Sequence, residues 1–181
     1  MAVLRVTDSP YPKENWETID DFNYESPLLL LRFIDAVTTR SGETDAEYIL
    51  AAPYTVSLKL DGNLRKITVP SGMLTDLASV PWWGRWLVSR VGPHLEASII
   101  HDFLYIAWQD LNGHGARRRD RRFADEVMRV AMKKAEVGLV KRTIIFGAVR
   151  AFGWTVYRER EHSPRYRQLP EDILAGSGHD G

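Results

Sequence analysis

Glu96-Ala97-Ser98-Ile99-Ile100-His101-Asp102-Phe103-Leu104-Tyr105 is the stretch whose reading decides the fold. Leu95, Ile99, Phe103 and Ile106 recur at three- and four-residue steps, and Ile100 and Leu104 widen the stripe. That spacing predicts a helix from Pro93 to about Gln109, apolar on enough sides to be largely buried. His101 and Asp102 sit at its centre. Side chains of adjacent helical residues point about 100° apart, so these two address different sides of one site. Tyr105, four residues after His101 and three after Asp102, lies over the same face and offers a hydroxyl donor.

Downstream, Asn112-Gly113-His114-Gly115 reads as a loop, and Arg117 to about Glu136 as a second helix. Phe123, Val127, Val130 and Ala131 line one side of it, with Arg and Lys along much of the other. The loop is short enough to make the two helices antiparallel neighbours. Gly138 is the expected stop. Leu139 to about Arg160 reads as a third long helix, with Ile144, Ile145, Ala148, Phe152 and Val156 expected inside. Gly147 and Gly153 either lower its regularity or let a neighbour pack closely.

Upstream, the period changes from helical to two. Tyr54, Val56, Leu58 and Leu60 share one face of a strand, and Thr55, Ser57 and Lys59 the other. Asp61-Gly62-Asn63 supplies turn chemistry, and Leu64 to Val69 returns as the second strand of a hairpin. Leu28 to Ile34 is a further apolar run of strand length, and residues 38–47 read as a loop. Pro81 opens a helical turn carrying Trp82, Trp83, Trp86 and Leu87. The expectation is one α+β domain over residues 1–181. It has an irregular N-terminal arm (1–27), a β-rich part with a small antiparallel sheet (28–70) and a helical part holding the site and about three long helices (71–160). A flexible tail (161–181) follows.

Composition narrows the function. The 181 residues carry 24 basic and 24 acidic side chains, which gives no general pull towards nucleic acid. The absence of cysteine excludes disulfides and thiolate metal sites. Residues 1–5 lack the apolar run of a signal peptide, and no run of 18 or more apolar residues marks a membrane span. The longest apolar stretch, Ile144 to Tyr157, is short and contains Arg150. Arg117-Arg118-Arg119 with Arg121-Arg122 reads first as a solvated basic face.

Two isolated acids complete a candidate site: Asp76, 25 residues before His101, and Asp125, 24 after it. A histidine titrating near neutrality takes a proton from water, and a carboxylate on its second nitrogen fixes the tautomer and stabilises the cation formed. Asp125, beside Phe123 and Val127 on the next helix, is the expected partner. Asp102 and Asp76 offer hard oxygen ligands suited to Ca²⁺, with Mg²⁺ as the alternative. The bland readings run alongside. His101 is then a satisfied core histidine, Asp102 pairs with Arg85 or Arg121, Asp76 caps a turn, and Asp125 pairs with Arg121 or Arg129.

Two resemblances follow from the motifs. The ordered set VPSGMLTDLASVPWW (69–83), ASIIHDFLY (97–105), RRFADEVMRVAM (121–132) and a glycine-bearing last helix resembles a family of bacterial and tailed-phage proteins known as a domain of unknown function. That likeness implies a phage or prophage source, hence bacterial cytoplasm or virion, and no activity. Separately, His101-Asp102-Phe103-Leu104-Tyr105 followed by Arg121 and Asp125 is similar to the active-site helix pair of the phospholipase A2 superfamily, closest to its microbial members. The resemblance implies that His101 activates water, Asp102 binds calcium and Asp125 orients His101. A calcium loop would fall near Gly72 to Asp76. The chain departs from that family in lacking its cysteines, in carrying Leu104 where glycine is usual, and in having no glycine-rich calcium loop.

The first reading is therefore a metal-assisted ester hydrolase, with a membrane lipid met by Trp82, Trp83 and Trp86. The second is a non-enzymatic virion, tail or assembly protein, bound to other phage components, in which His101 and Asp102 form a buried network. The third is a metal phosphohydrolase of the HD type, which requires His94 as a second histidine ligand.

Overall fold

A computed structural model describes residues 8–32, 48–75 and 94–159. Its elements are strands β1 (Ile19–Tyr24), β2 (Leu30–Arg32), β3 (Tyr48–Leu50), β4 (Tyr54–Leu60), β5 (Asn63–Val69) and β6 (Leu74–Thr75), then helices α1 (Leu95–Ile106), α2 (Arg118–Lys134) and α3 (Leu139–Glu159). A four-residue 3₁₀ turn, Ala107–Asp110, prolongs α1. Antiparallel strands come first and helices after, the α+β arrangement expected from the change of period.

The β4–β5 hairpin is the most local of these structures. Leu60 pairs with Asn63, so only Asp61 and Gly62 turn the chain. Both have positive φ, 49° and 80°, as a two-residue turn between twisted strands requires. The Asp61 carboxylate also accepts the backbone N–H groups of Glu17 and Thr18, at 3.1 and 2.8 Å. Those bonds hold its pKa below the ordinary carboxylate range. They also tether the chain just ahead of β1, which lies against β4.

The strand β1 falls within residues 1–27, the stretch expected to be an irregular arm with little regular structure. Strand order β1-β4-β5 makes one sheet, and β2-β3-β6 makes a second. Phe22, Tyr54, Val56, Leu58, Ile67 and Val69 from the first sheet are buried. The Tyr24 hydroxyl reaches across to donate to the Ala131 carbonyl of α2 at 3.0 Å. The second sheet delivers Thr75, at the end of β6, towards the helices. The loop at 38–47, the tryptophan turn at 81–87 and the tail at 161–181 lie outside the described residues.

α1 is buried along most of its length, as its wide apolar stripe demands. Its end is set by a residue far away in sequence. Tyr11 inserts its hydroxyl between the Trp108 N–H, which donates to it at 3.1 Å, and the Leu104 carbonyl, which accepts from it. That N–H and carbonyl would pair directly in a continued α-helix. The inserted hydroxyl opens the ladder and leaves the tighter 3₁₀ turn. Arg65 Nη2 holds the Tyr11 carbonyl at 2.6 Å, and Arg119 holds the Pro12 and Lys13 carbonyls, so the strap is tied from both layers.

α2 ends at Lys134. The left-handed residue there is Glu136, φ 57°, not the glycine at 138 that the sequence suggests. The Val137 N–H closes back on the Met132 carbonyl at 3.0 Å, and the Glu136 N–H on that of Lys133 at 3.1 Å. These bonds satisfy the last carbonyls without Gly138.

Tyr11→Phe keeps the buried ring and removes both hydroxyl bonds. The expected loss is about 1–2 kcal/mol, read as a lower urea midpoint at unchanged m-value. An unchanged midpoint would show that the inserted hydroxyl contributes nothing to stability.

Candidate functional site

His101, Tyr105 and Asp125, all expected at the site, come together. Asp125 lies midway along α2 with no exposed surface. His101 Nε2 is 3.2 Å from Asp125 Oδ1, and the Tyr105 hydroxyl donates to that oxygen at 2.6 Å. The four-residue step from His101 to Tyr105 carries both onto one flank of α1. Their rings lie 4.0 Å apart between centroids.

The other carboxylate oxygen belongs to arginines. Arg150 Nη1 of α3 donates to Asp125 Oδ2 at 3.1 Å, and Arg121 Nε of α2 lies 3.7 Å from it. Arg121 Nη2 also donates to the Arg150 carbonyl at 3.1 Å, which locks α2 to α3 at this level. Three helices therefore supply donors to one buried carboxylate. Burial pushes the Asp125 carboxyl up, but the hydrogen bond and charge of His101, with the Tyr105 and Arg150 bonds, outweigh it and hold its pKa below the ordinary value. Burial, and next the charge of Asp125, push the Tyr105 phenol far up, so it stays a neutral donor.

α3 comes this close because Gly153 has no side chain. A Cβ there would overlap the Tyr105 hydroxyl, and the ring behind that hydroxyl stands edge-on to Tyr157 at 5.1 Å. Of the two sequence readings for the glycines of α3, close packing holds at Gly153. Gly147 faces open space.

Asp102 points elsewhere, as adjacency on a helix requires. The Thr75 hydroxyl donates to Asp102 Oδ2 at 3.1 Å. Asp76, the next residue after Thr75, lies outside the described residues, as do Arg85, Trp82, Trp83 and Trp86. Carboxylate and hydroxyl oxygens suit a hard divalent cation, and the set contains no soft donor. Among the described residues no three of His, Cys, Asp and Glu gather as a cation site. The fit therefore depends on Asp76 joining Asp102. His94 lies buried at the start of α1, about two turns before His101, with its carbonyl accepting from the Ser98 N–H and hydroxyl.

Arg121, one of the alternatives for both acids, sits with Asp125. Arg129 instead bonds Glu126 at 2.6 Å. Arg150, Gly153 and Thr75 were not singled out as site residues from sequence. Arg150 left a trace, as the charge interrupting the apolar run 144–157. The burial expected within that run is only partly met. Ile145 is buried, but Ile144 and Phe152 are 42% and 57% exposed. With apolar residues around the whole helix, periodicity does not define which side faces in.

A family model described as a protein of unknown function, DUF1353, matches residues 49–149, more than half of the chain. The chain belongs to the DUF1353 family. The matched span begins in β3, contains α1 and α2 whole, and stops one residue before Arg150. Within this DUF1353 span lie His101, Asp102, Tyr105 and Asp125. Neither a curated protein nor a solved structure matches the chain.

Two substitutions read the packing at this site by sign. An exposed helical glycine gains about 1 kcal/mol when replaced by alanine. Gly147→Ala, in open space, is expected to gain close to that. Gly153→Ala is expected to lose about 1–3 kcal/mol, because Tyr105 is fixed by Asp125 and its ring neighbours. Denaturant midpoints decide it, and a stabilised Gly153→Ala protein would contradict the close approach.

Asp125 carries a pH dependence of defined sign. Its folded pKa lies below the ordinary value of 3.8, so its stabilising contribution is present above that pH and is lost as pH falls through the folded pKa. Asp125→Asn is expected to cost on the order of 3 kcal/mol at pH 7 and to flatten the stability curve below pH 4. Parallel wild-type and variant curves in acid would refute this linkage.

Proposed function

We propose that this chain is a metal-assisted ester hydrolase in which His101 is the general base. The observation that carries the reading is His101 Nε2 at 3.2 Å from the buried, multiply held Asp125 carboxylate. An ionised carboxylate only accepts hydrogen bonds, so Nε2 bears the hydrogen and Nδ1 the lone pair. Nδ1 then takes a proton from water as the water attacks the ester carbonyl. The imidazolium that forms gains the charge of Asp125, which Tyr105 and Arg150 keep ionised and immobile. Asp102, with Asp76 beside Thr75, would hold Ca²⁺ or, as the alternative, Mg²⁺. A cation bound there supplies positive charge to the developing oxyanion.

The His-Asp-Phe-x-Tyr helix and the Asp125 partner support a phospholipase A2-like site, and with it an ester in a membrane lipid. The ordered motifs of residues 69–157 support a phage or prophage source and a place in the bacterial cytoplasm or virion. One observation favours a second reading. Asp125 is wholly buried and addressed by four side chains from three helices, as a purely structural network in a phage component would be.

Calorimetric titration with CaCl₂ and MgCl₂ on wild type and Asp102→Ala, with turnover of a soluble ester by wild type and His101→Gln, separates the readings. Hydrolysis requires cation binding that disappears in a still-folded Asp102→Ala protein. It also requires turnover that falls by about 10²-fold or more without the base. A wild type that binds neither cation and turns over no ester sinks the proposal in favour of the structural network.

A further inference from the structure

α3 is apolar on the side that should be polar. Val140, Ile144, Gly147, Ala151 and Thr155 follow at three- and four-residue steps, and all are exposed. Val140 is 73% exposed, Ile144 42% and the neighbouring Leu139 69%. A surface helix ordinarily turns charged residues outward. This helix has Lys141, Arg142, Arg150 and Arg158 against a single acid, its last residue Glu159. The cations continue onto α2, where the Arg118 and Arg121 guanidinium groups lie 5.5 and 5.9 Å from the centre of the half-buried Trp154 ring.

From this juxtaposition of an exposed apolar stripe with a strong excess of cations, we infer that the outward face of α3 lies on an anionic lipid surface. The chemistry separates the candidate occupants. A second copy of the chain would set this basic helix against its twin with four cations to one acid on each side, and like charges across an interface are costly. Nucleic acid is bound by polar, strongly positive faces and gains little from exposed Val140 and Ile144. An anionic bilayer uses both features, because the apolar stripe enters the headgroup boundary while the cations meet lipid phosphates. Among the described residues no helix is long and apolar enough to cross a membrane. The contact is therefore in the plane of the surface. Trp154 beside Arg118 and Arg121 fits the same boundary, where an aromatic ring sits at headgroup level. The inference goes beyond the His101 reading and does not depend on it.

The test is co-sedimentation of the full chain with vesicles of ether-linked phosphatidylglycerol or ether-linked phosphatidylcholine, which no esterase consumes. Binding is expected to the anionic vesicles only and to weaken between 50 and about 500 mM salt, as surface charges are screened. Lys141→Gln with Arg158→Gln should lower the partition coefficient about fivefold per cation removed. Ile144→Ser should lower it while leaving the charges intact. Circular dichroism checks that both variants remain folded, and soluble-ester turnover reports separately on His101.

Equal binding to both vesicle types, no binding at 50 mM salt, or binding unchanged in both variants would overturn the inference. So would a wild-type dimer that Ile144→Ser splits into monomers, or oligonucleotide binding lost in the double variant while vesicles go unbound.

Discussion

The helical half of the molecule depends on the desolvated carboxylate of Asp125. An unpaired charge in that position would be among the most costly features a small domain could contain. Its acceptance requires donors, and the α2 neighbour Arg121 reaches only to 3.7 Å. The close bonds come from His101 and Tyr105 on α1 and from Arg150 on α3. Apolar packing brings three helices together, but it tolerates small rotations and slides. A carboxylate with three directional partners does not, so the bond set defines the relative phase of the helices.

That distinction explains what the sequence made legible. Elements and contacts set by local spacing could be read. Asp61-Gly62 specifies its own hairpin, and the four-residue step of His101 and Tyr105 puts both on one flank of α1. The short connection between α1 and α2 then makes Asp125 a natural partner. Contacts set by packing between distant segments were hidden. Arg150 reaches Asp125 only because α3 approaches through Gly153. β1 exists because Asp61 and β4 receive it, although its own sequence, Ile-Asp-Asp-Phe-Asn-Tyr, alternates weakly. Tyr11 has no periodicity at all, yet its hydroxyl decides where α1 stops being an α-helix.

A second histidine–aspartate pair in the same helical hairpin shows how little such a pair means alone. His114 Nε2 lies 2.7 Å from Asp120 Oδ2, closer than His101 is to Asp125, and Asp120 is also fully buried. Its setting differs. The His114 ring stacks on Tyr11 at 5.5 Å, and the strap that carries Tyr11 is bound by Arg119 and Arg65. The residue after His114 is Gly115, whereas His101 is followed by Asp102 with Thr75 upon it. The His114 pair fastens the N-terminal segment over the end of α1. The His101 pair brings a base and a further acid, Asp102, to one turn of helix, and that combination, rather than the dyad, gives the hydrolytic reading its content.

α3 joins the two faces of the molecule. Its valines, threonines and glycines are poor helix formers, so the helix owes its stability to tertiary contacts more than to propensity. On the inner side those contacts are Gly153 against Tyr105 and Arg150 on Asp125, the same groups that hold His101 in place. Arg150 is 41% exposed, so its bond to Asp125 runs from the buried site to the margin of the outer apolar stripe. Whatever settles on that stripe acts on a helix whose inward contacts are the supports of the base. A rotation of α3 large enough to withdraw Arg150 would also move Gly153 out from under Tyr105, leaving His101 and Tyr105 of α1 as the close partners of Asp125 from another helix. Orientation of the imidazole and the position of the outer face are thus two consequences of one packing arrangement, since the helix cannot be repositioned for one without disturbing the other.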